Sequence, residues 1–188
     1  MTNKERFQTI CGTNIKREGI DTLLAWMEQK SDFYTAPAST RYHLNEEGGL
    51  LLHSLHVYDR LCQLNQLFNL TDSAETLSII SLFHDLTKAN CYKKGFRNVK
   101  EDGKWVQKTC YEFDEKFHYG GHGAKSVFLI ERFMRLTPEE AVCIHNHMGP
   151  YDKPVGDRSL NQAYEQYPLA WLLHVADSAA TYIDEVKE

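Results

Sequence analysis

"SLFHDLTKANCYKK", residues 81–94, joins an apolar run to an adjacent histidine and aspartate, then to a lysine and a change of pattern. Ahead of it, "TDSAETLSII" predicts a helix start. Asp72 or Ser73 can accept hydrogen bonds from the exposed amides of a first turn, and Glu75 suits the positive end of the helix dipole. Beyond it, "CYKKGFRNV" and "KWVQKTCYEF" are rich in aromatic and β-branched residues, and the intervening "KEDG" carries an Asp-Gly turn signal. A two-stranded hairpin is therefore expected, and it needs packing against helices to be stable. The stretch sets two potential metal ligands side by side where a helix ends.

Helical patterns dominate elsewhere. "EGIDTLLAWMEQKSDF" repeats apolar residues at Ile20, Leu23, Leu24 and Met27, one helix face, before "PASTRYHLNEEGG" breaks it. "LLLHSLHVYDRLCQLNQLF", residues 50–68, predicts a long helix after Gly48 and Gly49. Further helices are expected in "GAKSVFLIERFMRL", in "TPEEAVCIHNHM", where Thr137 caps and Pro138 fits the first turn, and in "YPLAWLLHVADSAATYIDEV". No repeat or low-complexity segment is present.

With 188 residues, 42% of them apolar, the chain is long enough for one ordinary core and short for two, so a single domain over 1–188 is expected. Its motif-bearing core runs from about 48 to 185, with a helical extension over 1–47 packed on it. The net charge of −5 and the absence of a long basic block disfavour non-specific nucleic-acid binding, while a phosphate-bearing small molecule remains a fitting partner. The polar start, "MTNKERFQTICG", and the lack of any apolar run approaching about 18 residues predict a cytoplasmic protein without a membrane span. Cys11, Cys62, Cys91, Cys110 and Cys143 are scattered, odd in number and never spaced as CxxC, which argues against a disulfide framework and a cysteine zinc site.

His84 and Asp85 are neighbours, so on a helix their side chains diverge by roughly 100° and cannot close a site alone. Partners are available in "LLHSLHV" (His53, His56), "FHYGGHG" (His118, His122), "IHNHMG" (His145, His147) and "LLHVAD" (His174, Asp177). Each lies in or beside an apolar helical stretch, where an unsatisfied polar group costs about 1–3 kcal/mol. A buried His-Asp pair alone is commonly a structural hydrogen bond; the ordered set suggests a shared ligand.

The order of "GGLLLHSLHV", "FHDLTK", "GGHGAKSV", "IHNHMG" and "LLHVAD" resembles the HD superfamily of metal-dependent phosphohydrolases, over Gly48 to about Glu185. "HDLTK" stands where the wider family often has "HDIGK", which leaves the ligands intact. The resemblance implies an all-α, HD-domain-like helical bundle with a small β-hairpin inserted after the HD motif. It implies that His53, His84, Asp85 and Asp177 hold one divalent metal. In members with two ions, Asp85 bridges and residues matching His122 and His147 hold the second, with His145 the alternative at that motif. Mixed imidazole and carboxylate donors accept Mn, Fe, Ni, Co, Zn or Mg, and ligand type alone does not select among them.

The expected activity is hydrolysis of a phosphate ester of a nucleotide or another small phosphorylated molecule. The alternatives are a dinuclear-iron oxygenase on the same fold and a non-catalytic metal-binding module. His56 and His174 read as supporting residues, His118 as a loop residue, and His43 as either lining the mouth beside Arg41 and Tyr42 or simply exposed. From Lys88 to Lys108, seven cations face Glu101 and Asp102, a local charge of +5 in a chain of −5. Lys88, three residues after Asp85, is expected on the same side of a turn and, with Asp85, in a catalytic role. Lys93, Lys94 and Arg97 are expected to guide a substrate phosphate.

Overall fold

Local capping sets the first elements. The computed structural model describes residues 1–116, 119–154 and 157–186. α1 (Asn3–Asn14) opens on a capping box in which the Thr2 hydroxyl accepts from the Glu5 N–H and the Glu5 carboxylate accepts from the Thr2 N–H. α2 (Ile20–Lys30) buries Ile20, Leu23 and Met27 of the apolar face read from the sequence and leaves Leu24 half-buried. α3 (Gly49–Leu67) is the central element, packed against α4 (Ala74–Phe83) and α8 (Pro168–Ala179), while α1 packs on both α3 and α4. The Phe7 ring meets those of Phe33 at 5.4 Å and Phe83 at 5.9 Å, which seats the N-terminal segment in the same core as the motif-bearing helices. Arg17 pairs with the fully buried Glu140 and, at 3.2 Å, with Glu75, tying that segment to α6 (Pro138–His145) and α4. α7 (Ser159–Gln166) leans on α8.

The all-α class expected from the sequence is corrected. The fold is mixed: mostly helical, with a two-stranded antiparallel sheet of β1 (Tyr92–Glu101) and β2 (Lys104–Phe113), paired from Tyr92 opposite Phe113 to Glu101 opposite Lys104. The physical reason is the length of the aromatic and β-branched alternation. It sustains ten residues in each strand, and Asp102 and Gly103, both at positive φ, reverse the chain between them.

Two local breaks position the site. α4 stops at Phe83, so His84 is its C-cap and Asp85 leaves the helix at φ −105°, ψ 21°, followed by a 3₁₀ turn over Leu86–Lys88. The Thr87 N–H donates to the Ser126 hydroxyl at 3.2 Å, which fastens this turn to α5 (His122–Glu131). A side chain at Gly123 would place Cβ 2.3 Å from the His145 carbonyl, so glycine there permits the close approach of α5 to the end of α6. No helix among the described residues is long and apolar enough to cross a membrane.

Candidate metal centre

Four helices deliver five side chains to one buried point. His53 comes from the middle of α3, His84 and Asp85 from the end of α4, His147 from just beyond α6, and Asp177 from α8. Each imidazole is oriented through its Nδ1. His84 Nδ1 donates to the Ser81 carbonyl at 2.8 Å, His147 Nδ1 donates to the Ile144 carbonyl at 2.7 Å, and His53 Nδ1 donates to the Glu185 carboxylate at 3.0 Å. With the Nδ1 proton engaged in this way, Nε2 of each ring faces inward and offers its lone pair whenever the ring is neutral.

Those three Nε2 atoms and Asp85 Oδ1 are buried and lack a hydrogen-bond partner. His53 Nε2 lies 3.2 Å from Asp177 Oδ1, and His147 Nε2 lies 3.4 Å from Asp85 Oδ1, without the direction of a hydrogen bond. One potential ligand atom each from His53, His84 and Asp85, and likewise from His84, His147 and Asp177, lie within 4.8 Å of one another. Leaving such atoms unpaired costs about 1–3 kcal/mol each, whereas a shared cation would satisfy them together. These buried groups can hold a metal ion, and their nitrogen and carboxylate donors suit a divalent transition metal.

Electrostatics in the cluster reflect opposed terms. Burial works against charge on His53, but Asp177 and Glu185 outweigh it and lift the imidazole to about 9. Burial dominates at His84 and lowers it, whereas at His147 the neighbouring Asp85 prevails and raises it. Burial also opposes ionisation of Asp85 and Asp177, yet Lys88 and His84 hold the first well below the usual carboxylate range, and His53 depresses the second. Lys88 Nζ sits 2.6 Å from Asp85 Oδ2, and this pairing overcomes burial to keep Lys88 above its ordinary range.

Glu185 escaped the sequence reading. Its buried carboxylate accepts from Nδ1 of His43, of His53 at 3.0 Å and of His56 at 2.9 Å. Together these donors hold it below its usual range against the effect of burial. One potential ligand atom each from His43, His53 and Glu185 also lie within 4.8 Å of one another, but the carboxylate is already filled by N–H donors, so the trio forms a hydrogen-bonded support for His53. Nothing in "IDEVKE" marks Glu185 among three carboxylates; a π-helical turn over Ala180–Asp184 redirects the chain and brings it back to α3.

The remaining candidates separate clearly. His122 is half-buried outside the cluster, its ring stacked on Phe113 with centroids 6.5 Å apart and its backbone N–H donating to the Asp152 carboxylate at 3.1 Å. The expected pairing of His122 with His147 around Asp85 is therefore not formed. His147 joins His84 and Asp85 instead, because α5 begins at His122 while the chain beyond α6 turns inward. His145 is exposed, 3.3 Å from Lys153 Nζ, whereas His147 of the same motif is buried in the cluster. His174 Nδ1 donates to the His147 carbonyl at 2.8 Å. It packs against Gly149, where φ is +60° and an added Cβ would lie 2.5 Å from the ring. His118 lies outside the described residues.

A cavity of about 270 Å³ opens onto the cluster, lined among others by Tyr42, Asp85, Lys88, Tyr151, His174 and Asp177. Lys88 is the one of the four expected phosphate-binding cations that lines it. Lys93 and Lys94 lie on the hairpin in exposed pairs with Glu112 at 3.6 Å and Glu47 at 3.3 Å, and Arg97 is exposed on the same strand. Comparison with protein-family models, curated proteins and solved structures returns no match.

Proposed function

We propose that this chain is a cytoplasmic metal-dependent phosphohydrolase of the HD type, acting on a phosphate ester of a nucleotide or another small phosphorylated molecule. The observation that carries the reading is the convergence of three unpartnered imidazole Nε2 atoms and the Asp85 carboxylate beside a lysine on a solvent-reaching cavity. His53, His84, Asp85, His147 and Asp177 would hold the ion. When bound, a divalent ion of this kind acidifies water and neutralises charge on a phosphoryl oxygen.

The protein's own groups supply the rest. Lys88 reaches the cavity wall with its ammonium beside Asp85 and is placed to hold a phosphoryl oxygen as charge develops. Glu185 fixes the ring of His53, and the Ser81 and Ile144 carbonyls fix those of His84 and His147, so the donors are oriented before any ligand arrives. Five free cysteines suit a reducing compartment.

Metal analysis of protein purified without added metal, followed by a panel of phosphomonoesters and nucleotides with Mn, tests the reading. Metal bound to the wild type, and phosphate release lost in His84→Ala, are expected. Metal-loaded protein that releases no phosphate but consumes oxygen with Fe would replace hydrolysis by oxygenation.

A further inference from the structure

The β-hairpin presents a surface that the metal centre does not use. Alternation along the paired strands puts Lys94, Phe96, Asn98, Lys100, Trp105 and Gln107 on one face. Phe96 is 67% exposed and Trp105 72%, on a hairpin along which no helix packs extensively. Two large aromatic rings held in water on an otherwise slender ribbon indicate a contact surface.

Charge identifies the partner. Residues 92–113 carry six cations (Lys93, Lys94, Arg97, Lys100, Lys104, Lys108) and three carboxylates (Glu101, Asp102, Glu112), a net +3 in a chain whose total is −5. The aromatic face holds Lys94 and Lys100, while Glu112 alternates to the opposite face and Asp102 lies in the turn. A second copy of the hairpin would set +3 against +3. An acidic peptide would answer the charge, but it would need apolar side chains and free backbone groups at matching spacings to meet the rings and the Asn98 and Gln107 amides, whereas every nucleotide carries both a phosphate and a base. Single-stranded nucleic acid answers all three, with phosphates for lysines, base faces for rings and base edges for amides. A duplex hides its base faces in its own stack.

We propose that the aromatic face of the hairpin binds single-stranded nucleic acid. The Lys94 pair with Glu47 does not oppose this, because both side chains are more than 60% exposed and such surface pairs exchange readily for a phosphate. The ten-residue strands give a track of about 33 Å. Its base is fastened to the rest of the fold: the Tyr92 hydroxyl donates to the Ala38 carbonyl at 3.4 Å, and Phe113 stacks on His122 at the start of α5. Binding of the strand is independent of the hydrolytic reading.

Fluorescence anisotropy of a labelled twenty-nucleotide oligothymidylate, titrated with the full chain in EDTA, tests it. Expected are saturable binding that weakens with salt, a blunt duplex of equal length bound at least about 10-fold more weakly, and a loss of about 10-fold in Trp105→Ala and in Phe96→Ala. Lys100→Gln should lower the slope of log affinity against log salt by about 0.7. Metal content, circular dichroism and hydrolysis of a small phosphate ester should stay at wild-type values in all three variants, and Trp105→Phe should restore most of the affinity. Absence of oligonucleotide binding at low salt, equal binding of duplex, or wild-type self-association abolished by Trp105→Ala would each overturn the proposal. Oligonucleotide binding by a protein that hydrolyses nothing would overturn only the phosphohydrolase reading.

Discussion

Lys88 Nζ lies 2.6 Å from Asp85 Oδ2 across a single 3₁₀ turn, with the lysine side chain 12% exposed and the aspartate 3%. Their closeness places a cation at the wall of the cavity and beside the carboxylate that the imidazoles surround. Removing it should therefore separate metal retention from turnover. Lys88→Ala is expected to bind metal as the wild type does and to lose about 100-fold or more in kcat. Equal loss of metal and activity, measured by elemental analysis and steady-state kinetics on one preparation, would instead make Lys88 a structural partner of Asp85.

Glu185 acts through His53. Glu185→Gln keeps the shape but removes the negative acceptor for the Nδ1 protons, so metal affinity should fall by about 10-fold while Glu185→Asp recovers part of it. Calorimetric titration with Mn reads this directly; an unchanged Kd would limit Glu185 to anchoring the C-terminal turn.

His147 and His122 should behave differently. His147→Ala removes an Nε2 atom from the cluster and should lower metal occupancy, whereas His122→Ala loses only a stack on Phe113 and should leave occupancy unchanged. Metal loss in His122→Ala with none in His147→Ala would reverse the assignment.

Metal affinity should rise with pH. His53 is lifted to about 9 in the metal-free fold, so below that pH its imidazole carries a proton that a ligating nitrogen must release. The apparent Kd should improve by up to about tenfold per pH unit between pH 7 and 9 and then level off. For the metal-free fold the sign is opposite. A histidine raised above its unfolded value of about 6.5 stabilises fully below that value, and its contribution is lost as pH rises through about 9. Calorimetry in buffers of different protonation enthalpy counts the released proton; a flat pH profile would exclude His53 as a ligand.

Much of the local structure was written in short-range signals. Ser73, Thr137 and Pro138 begin helices at the positions their capping chemistry predicts, and the Asp-Gly at 102–103 reverses the hairpin. The helical extension over 1–47 holds α1 as well as α2, although only α2 shows an apolar periodicity, and α7 carries no such signal in the sequence reading. α1 follows a weakly amphipathic sequence whose helix rests on a capping box and on the burial of Phe7 and Cys11, both tertiary facts.

The sequence by itself determined which elements form and which residue types could serve a metal, because caps, turns and apolar periodicity are local properties of the chain. Only the tertiary structure decided which donors meet. His84 and Asp85 would point about 100° apart on a continuous helix, yet termination of α4 between them brings His84 Nε2 within 3.5 Å of Asp85 Oδ2. His147 enters and His145 leaves because the chain unwinds after α6, and Glu185 reaches three histidines from more than 120 residues away in the chain through a π-helical turn. Long-range approach of this kind depends on how helix ends are cut and packed against one another, which no spacing within a single helix encodes.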